Sequence, residues 1–98
     1  MSREENRLFA GAAAAHVLAG LAHVHPEFSY GEKRSGTITY GELAKLIGWT
    51  NHIHDRGFGE VLDYAAAQSK ESYGVDHTKR VVRKSDGYPS KLDGKWVA

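Results

Sequence analysis

The residues of this chain best suited to chemistry lie near its C-terminal end, in HTKRVVRKSDGYP, residues 77–89. Lys79, Arg80, Arg83 and Lys84 flank a pair of valines, and Asp86-Gly87 marks a turn directly after them. Cations on such a stretch suit a phosphate backbone, because each neutralised phosphate releases counterions and binding then falls with salt. The same residues would serve equally as charged guards on an edge hairpin. Strand alternation puts Lys79, Val81 and Arg83 on one face and Arg80, Val82 and Lys84 on the other, so two or three of the four are expected to meet one ligand.

Other chemistries find fewer parts. The chain has no cysteine, which removes a disulfide framework, a thiolate metal ligand and a cysteine nucleophile at once. Its six histidines include His16, His23 and His25 and the run His52-Ile53-His54-Asp55. That run has HxHxD spacing, but two-metal hydrolysis needs a larger chain and more ligands, and no four-ligand set is apparent elsewhere. The expectation is solvent-facing or satisfied imidazoles, with no metal, no cofactor and no catalytic residue. Trp49, Phe58 and Trp96 read as core.

The elements that must carry these residues follow from pattern and punctuation. Residues 3–24 are alanine-rich and free of proline, which predicts a long helix with a stripe through Leu8, Phe9, Ala12, Ala15, Leu18, Ala19 and Ala22. HPEFSYGEKRSG, residues 25–36, reads as a loop touching the core through Phe28 and Tyr30. After a short strand at Thr37-Ile38, Thr39 and Glu42 form a capping box, so a helix should start at Tyr40, bury Leu43, Leu46 and Ile47, and stop at Gly48. A third helix, capped by Thr50 or Asn51, should run from about Asn51 to Gln68, and Gly57 and Gly59 on it mark an approach surface. KRVVRK and KWVA then predict a β-hairpin whose long loop holds both Asp-Gly pairs. The order is that of a winged helix-turn-helix, a mostly helical α+β fold, in one domain over residues 1–98, with residues 1–25 as the N-terminal helix and 37–98 as helix-turn-helix plus wing.

Whole-chain quantities fit this picture. Ninety-eight residues, 41% hydrophobic and 26% charged, make one core and argue against disorder. The balance of 13 basic against 12 acidic side chains favours no partner by bulk charge. From Lys79 onward, however, six cations face only Asp86 and Asp93. The apolar run 8–24 has Glu4 and Glu5 ahead of it and His16 and His23 within it, which argues against a signal peptide or a membrane span and for the cytoplasm.

Residues 36–88 resemble the DNA-binding domain of O6-alkylguanine-DNA alkyltransferases and alkyltransferase-like proteins. The resemblance is carried by Thr39-Tyr40-Gly41-Glu42-Leu43-Ala44 at the start of the first helix, Arg56-Gly57-Phe58-Gly59 on the second, and Lys79-Arg80-Val81-Val82 followed by Ser85-Asp86-Gly87. It implies that Arg56 enters the DNA stack in place of a flipped-out base. Read on its own, Arg56 pairs equally well with Asp55, Glu60 or Asp63. A stacking pocket for the base would draw on Tyr40 and Tyr88. With Gly59, Thr78, Lys79, Arg80, Arg83 and Lys84, Arg56 and Tyr40 make up the expected DNA-binding set. The chain departs from the family at its reactive centre: Thr78 stands where the nucleophilic cysteine, or tryptophan in some alkyltransferase-like proteins, is found, His77 where proline precedes it and Lys79 where histidine follows it. A threonine hydroxyl lacks the acidity of a thiol, so alkyl transfer is excluded.

Two functions from different classes follow. The first is a non-catalytic protein of the alkyltransferase-like type that binds double-stranded DNA. The second is a small protein-binding adaptor or inhibitor, such as a phage-encoded one acting on a host or defence protein, with the alanine-rich helix as its interface or as a homodimer seam.

Overall fold

The computed structural model describes residues 3–49 and 56–98. The expected cap at Thr50 or Asn51 and the His52-Ile53-His54-Asp55 run lie outside the described residues. Helix α1, Arg3–Val24, has the predicted bounds. Its alanines cost little side-chain entropy in a helix, and Pro26 disfavours helical geometry at His25. It packs along α3, Arg56–Tyr73, through Gly11, Ala14, Ala15 and Leu18. At Gly11 a Cβ would stand 2.6 Å from the Cβ of Tyr64 and 3.2 Å from the Ala65 nitrogen, so only glycine lets the two backbones approach this closely. The stripe is rotated from the expected one: Leu8, Phe9 and Ala12 face outward. The reason is physical. On a helix apolar on nearly every side, periodicity does not choose a face, and the smallest side chains set the closest seam.

The loop after α1 leads to β1, Ile38–Thr39, and to α2, Tyr40–Leu46. Both halves of the expected capping box form: the Glu42 N–H donates to the Thr39 hydroxyl at 3.1 Å, and the Thr39 N–H donates to the Glu42 carboxylate at 3.0 Å. Leu43 and Ala44 enter the core, while Leu46, expected inside, is exposed in the last turn. Gly48, at φ +79, closes the segment, and the Trp49 N–H returns to the Ala44 carbonyl at 2.8 Å.

Helix α3 buries Phe58, Val61, Leu62 and Ala65 and continues past the expected end at Gln68 to Tyr73. Ser69 is fully buried, yet its hydroxyl donates to the Val75 carbonyl at 2.7 Å and accepts the His77 N–H at 3.0 Å. Those two bonds fold the following chain back over the helix end, so the helix runs on past Gln68. A single 3-10 turn, His77–Arg80, capped by Asp76, then feeds β2, Val81–Val82.

The strand pairing corrects the expected hairpin. β2 pairs in parallel with β1, Ile38 opposite Val81 and Thr39 opposite Val82. The hairpin is built instead from β3, Lys91–Leu92, and β4, Lys95–Trp96, paired antiparallel across Asp93 (φ 48) and Gly94 (φ 77). Both valines of β2 are fully buried, so the core covers both faces of that strand and neither is left for a ligand. The second Asp-Gly pair supplies the positive φ angles of a two-residue hairpin turn. The result is a mostly helical α+β fold with its core between α1, α2, α3 and β2.

Candidate nucleic-acid interface

Three of the expected DNA contacts are structural. Tyr40, the first residue of α2, is buried edge-on against Phe58 with ring centroids 4.7 Å apart, so it is not free to stack on a base. Thr78 is buried in the 3-10 turn, its N–H and its hydroxyl both donating to the Asp76 carboxylate. Arg80 is 4% exposed. Its guanidinium donates to the carbonyls of His25 at 2.7 Å, Gly36 at 2.9 Å and Pro26 at 3.0 Å, and lies 4.7 Å from the Phe28 ring centroid. Burial pushes its pKa below the ordinary arginine value, opposed by the nearby Tyr30 phenol. The cation stays charged and is spent on tying residues 25–36 to the body of the protein.

The remaining positions divide. Arg83 makes a bidentate pair with Asp86, at 3.1 and 2.6 Å, that closes the turn after β2. Lys79 and Lys84 are exposed. Arg56 opens α3, and its side chain lies outside the described part of the structure. The distance between these positions matters. The 3-10 turn is bonded to Ser69, and at ~1.5 Å per residue that point on α3 is roughly 20 Å from Arg56. Arg56 and Lys79 therefore sit at opposite ends of the helix.

Beside the first half of α3 stands a different cationic element, the β3–β4 hairpin. Trp96 lies over Gly59, where a Cβ would be 3.6 Å from the Trp96 side chain, and its indole N–H donates to Asp63 at 2.8 Å. The approach surface expected at Gly59 is thus filled by the protein's own tryptophan. Gly57 is used in the same way by Arg7 and Trp49. Lys91 extends over the Trp96 ring at 5.4 Å from its centroid, and Lys95 follows the turn, exposed. Two carboxylates share this stretch of α3: Glu60 is paired with Arg7, and Asp63 accepts from Trp96.

The anchoring role of Trp96 and the placement of Lys91 and Lys95 escape a reading in which the hairpin arms are KRVVRK and KWVA. The signal was the second Asp-Gly, set between Lys91-Leu92 and Lys95-Trp96 with no residue to spare. Among the described residues no group of three or more His, Asp or Glu side chains is arranged to hold a metal ion. Comparison of the chain with protein-family models, curated proteins and solved structures finds no match.

Proposed function

We propose that this chain is a non-catalytic, double-stranded DNA-binding protein of winged helix-turn-helix form, similar to alkyltransferase-like proteins, acting in the cytoplasm. In this reading α2 and α3 are the helix-turn-helix, α3 is the recognition helix and β3–β4 is the wing. The observation that carries the reading is the anchoring of a lysine-bearing hairpin on α3 through Trp96, Gly59 and Asp63. A hairpin fixed beside a helix offers two elements to adjacent parts of a duplex, and Lys91 and Lys95 would meet its phosphates. In this reading Thr78, buried with its N–H and hydroxyl donating to the Asp76 carboxylate, is a structural residue and no reaction is assigned to it.

A gel-shift titration at low salt on plain and O6-methylguanine duplexes tests the proposal. Binding is expected to fall with added salt. A Lys91→Glu/Lys95→Glu variant is expected to bind more weakly, with the salt slope shallower by about 1 for each phosphate that is no longer neutralised. Absence of a shift on both duplexes at micromolar protein rejects it.

A second reading has its own observation. The outward face of α1 exposes large apolar side chains, Phe9 at 63% and Val24 at 70%, with Leu8, Ala12 and Ala13, around the exposed His16. The stretch Glu5–Val24 is long and apolar enough by composition to cross a membrane. Here its other face packs on α3, and a helix apolar on both sides is normally covered on both. That supports an adaptor or inhibitor docking a protein partner, or a homodimer, through α1. A complex captured through α1 that persists at high salt would favour this reading over DNA binding.

A further inference from the structure

The loop between α1 and β1 does more than connect. It displays Phe28, 37% exposed, and half-buried Tyr30, with ring centroids 5.4 Å apart and edge to face at 67°. Tyr88, 51% exposed, joins them from the turn after β2, 6.5 Å from Tyr30. Three large rings in a row, with Tyr30 between the other two, would ordinarily be buried, and their exposure here is not the accident of a loose loop. The Tyr30 hydroxyl donates to the Lys79 carbonyl at 2.7 Å, and the Gly31 N–H donates to the Gly87 carbonyl at 3.0 Å. The Ser29 and Ser35 backbones pair across the loop, and Arg80 braces it from beneath. Gly87 passes so close that a Cβ there would stand 2.3 Å from the Gly31 carbonyl oxygen. The rings are held in place before any ligand arrives, so binding costs little further ordering entropy.

We propose that Phe28, Tyr30 and Tyr88 form a stacking platform for the unpaired bases of a single DNA strand, with Lys79 and Lys84 meeting its phosphates. Both lysines are exposed and tied to the platform through the backbone: the Lys79 carbonyl holds Tyr30, and Lys84 follows Arg83, whose N–H bonds the Tyr88 carbonyl at 2.8 Å. Aromatic faces flanked by cations are what an unstacked base and its phosphate require, whereas a duplex offers no free base face to such rings. Glu27 and Glu32 are exposed on the same loop. Stacking therefore supplies most of the affinity, and the salt dependence is shallow. The proposal rests on the DNA-binding reading and deepens it by adding a strand-selective surface built from residues other than Lys91 and Lys95.

Fluorescence anisotropy with a short labelled oligothymidylate and a duplex of matched length tests it, using wild type, Tyr88→Leu, Phe28→Leu and Lys91→Glu/Lys95→Glu. Thermal melts check that each variant folds. Each ring removed is expected to weaken oligothymidylate binding by roughly 5- to 150-fold and to leave duplex binding unchanged. Oligothymidylate binding that ignores both ring substitutions overturns the platform. Duplex binding that depends on Lys91 and Lys95, with no oligothymidylate binding, overturns the platform and leaves the wing standing. Oligothymidylate binding without duplex binding upholds the platform and removes the wing, and failure of both ligands removes both.

Discussion

Arg80 and Ser90 are the two buried polar side chains whose energetics differ most. Arg80 is enclosed, but three carbonyls receive its N–H groups, so its desolvation is offset by charged hydrogen bonds. Replacing it with methionine keeps much of the volume and orphans those carbonyls. Arg80→Met is expected to destabilise the protein by roughly 3 kcal/mol, read from urea unfolding. Ser90 is fully buried and its hydroxyl has no partner, although its backbone is bonded to Val81 and Val97. Ser90→Ala should therefore raise stability by about 1 kcal/mol, and a lowered urea midpoint would contradict this. The role of Arg80 was not legible in KRVVRK. Its acceptors belong to residues 25, 26 and 36, and a basic cluster carries no mark of which cation will be drawn inside.

At the scale of elements, the clearest local signal was also the most faithful. Thr39 and Glu42 define the start of α2 through bonds made within four residues, and the chain forms them as read. The cap also fixes a pH dependence. The Thr39 N–H and hydroxyl beside the Glu42 carboxyl hold its pKa below the ordinary value. A carboxyl whose folded pKa is depressed stabilises the fold above its unfolded pKa and loses that contribution as pH falls through the folded one. The stability difference between wild type and Glu42→Gln should thus be widest at neutral pH and close below about pH 4. Unfolding midpoints at several pH values check this, and a difference constant with pH would refute it. The hairpin was less legible, because two Asp-Gly pairs offered two registers. Only the fully buried valines show that β2 belongs to β1, and burial is a property of the assembled core.

At the scale of the whole molecule, the outer side of α1 leaves Phe9 and Val24 largely exposed. Composition announced the helix and its ends but not its orientation, since residues 8–24 are apolar on nearly every side apart from His16 and His23. If this face closes on a second copy, wild type should sediment as a dimer and Phe9→Lys as a monomer with an unchanged melting temperature. A monomer at tens of micromolar protein removes the homodimer and leaves a different partner for that face.

The parallel pairing of Ile38 with Val81 also sets the order in which the protein can be made. Ile38 gains its strand partner only when Val81 and Val82 arrive, although α2 already meets α3 through Tyr40 and Phe58. Loop closure over that sequence separation must come before the reward of the contact. Refolding is therefore expected to be slower than for helical bundles of this length, as stopped-flow refolding would read.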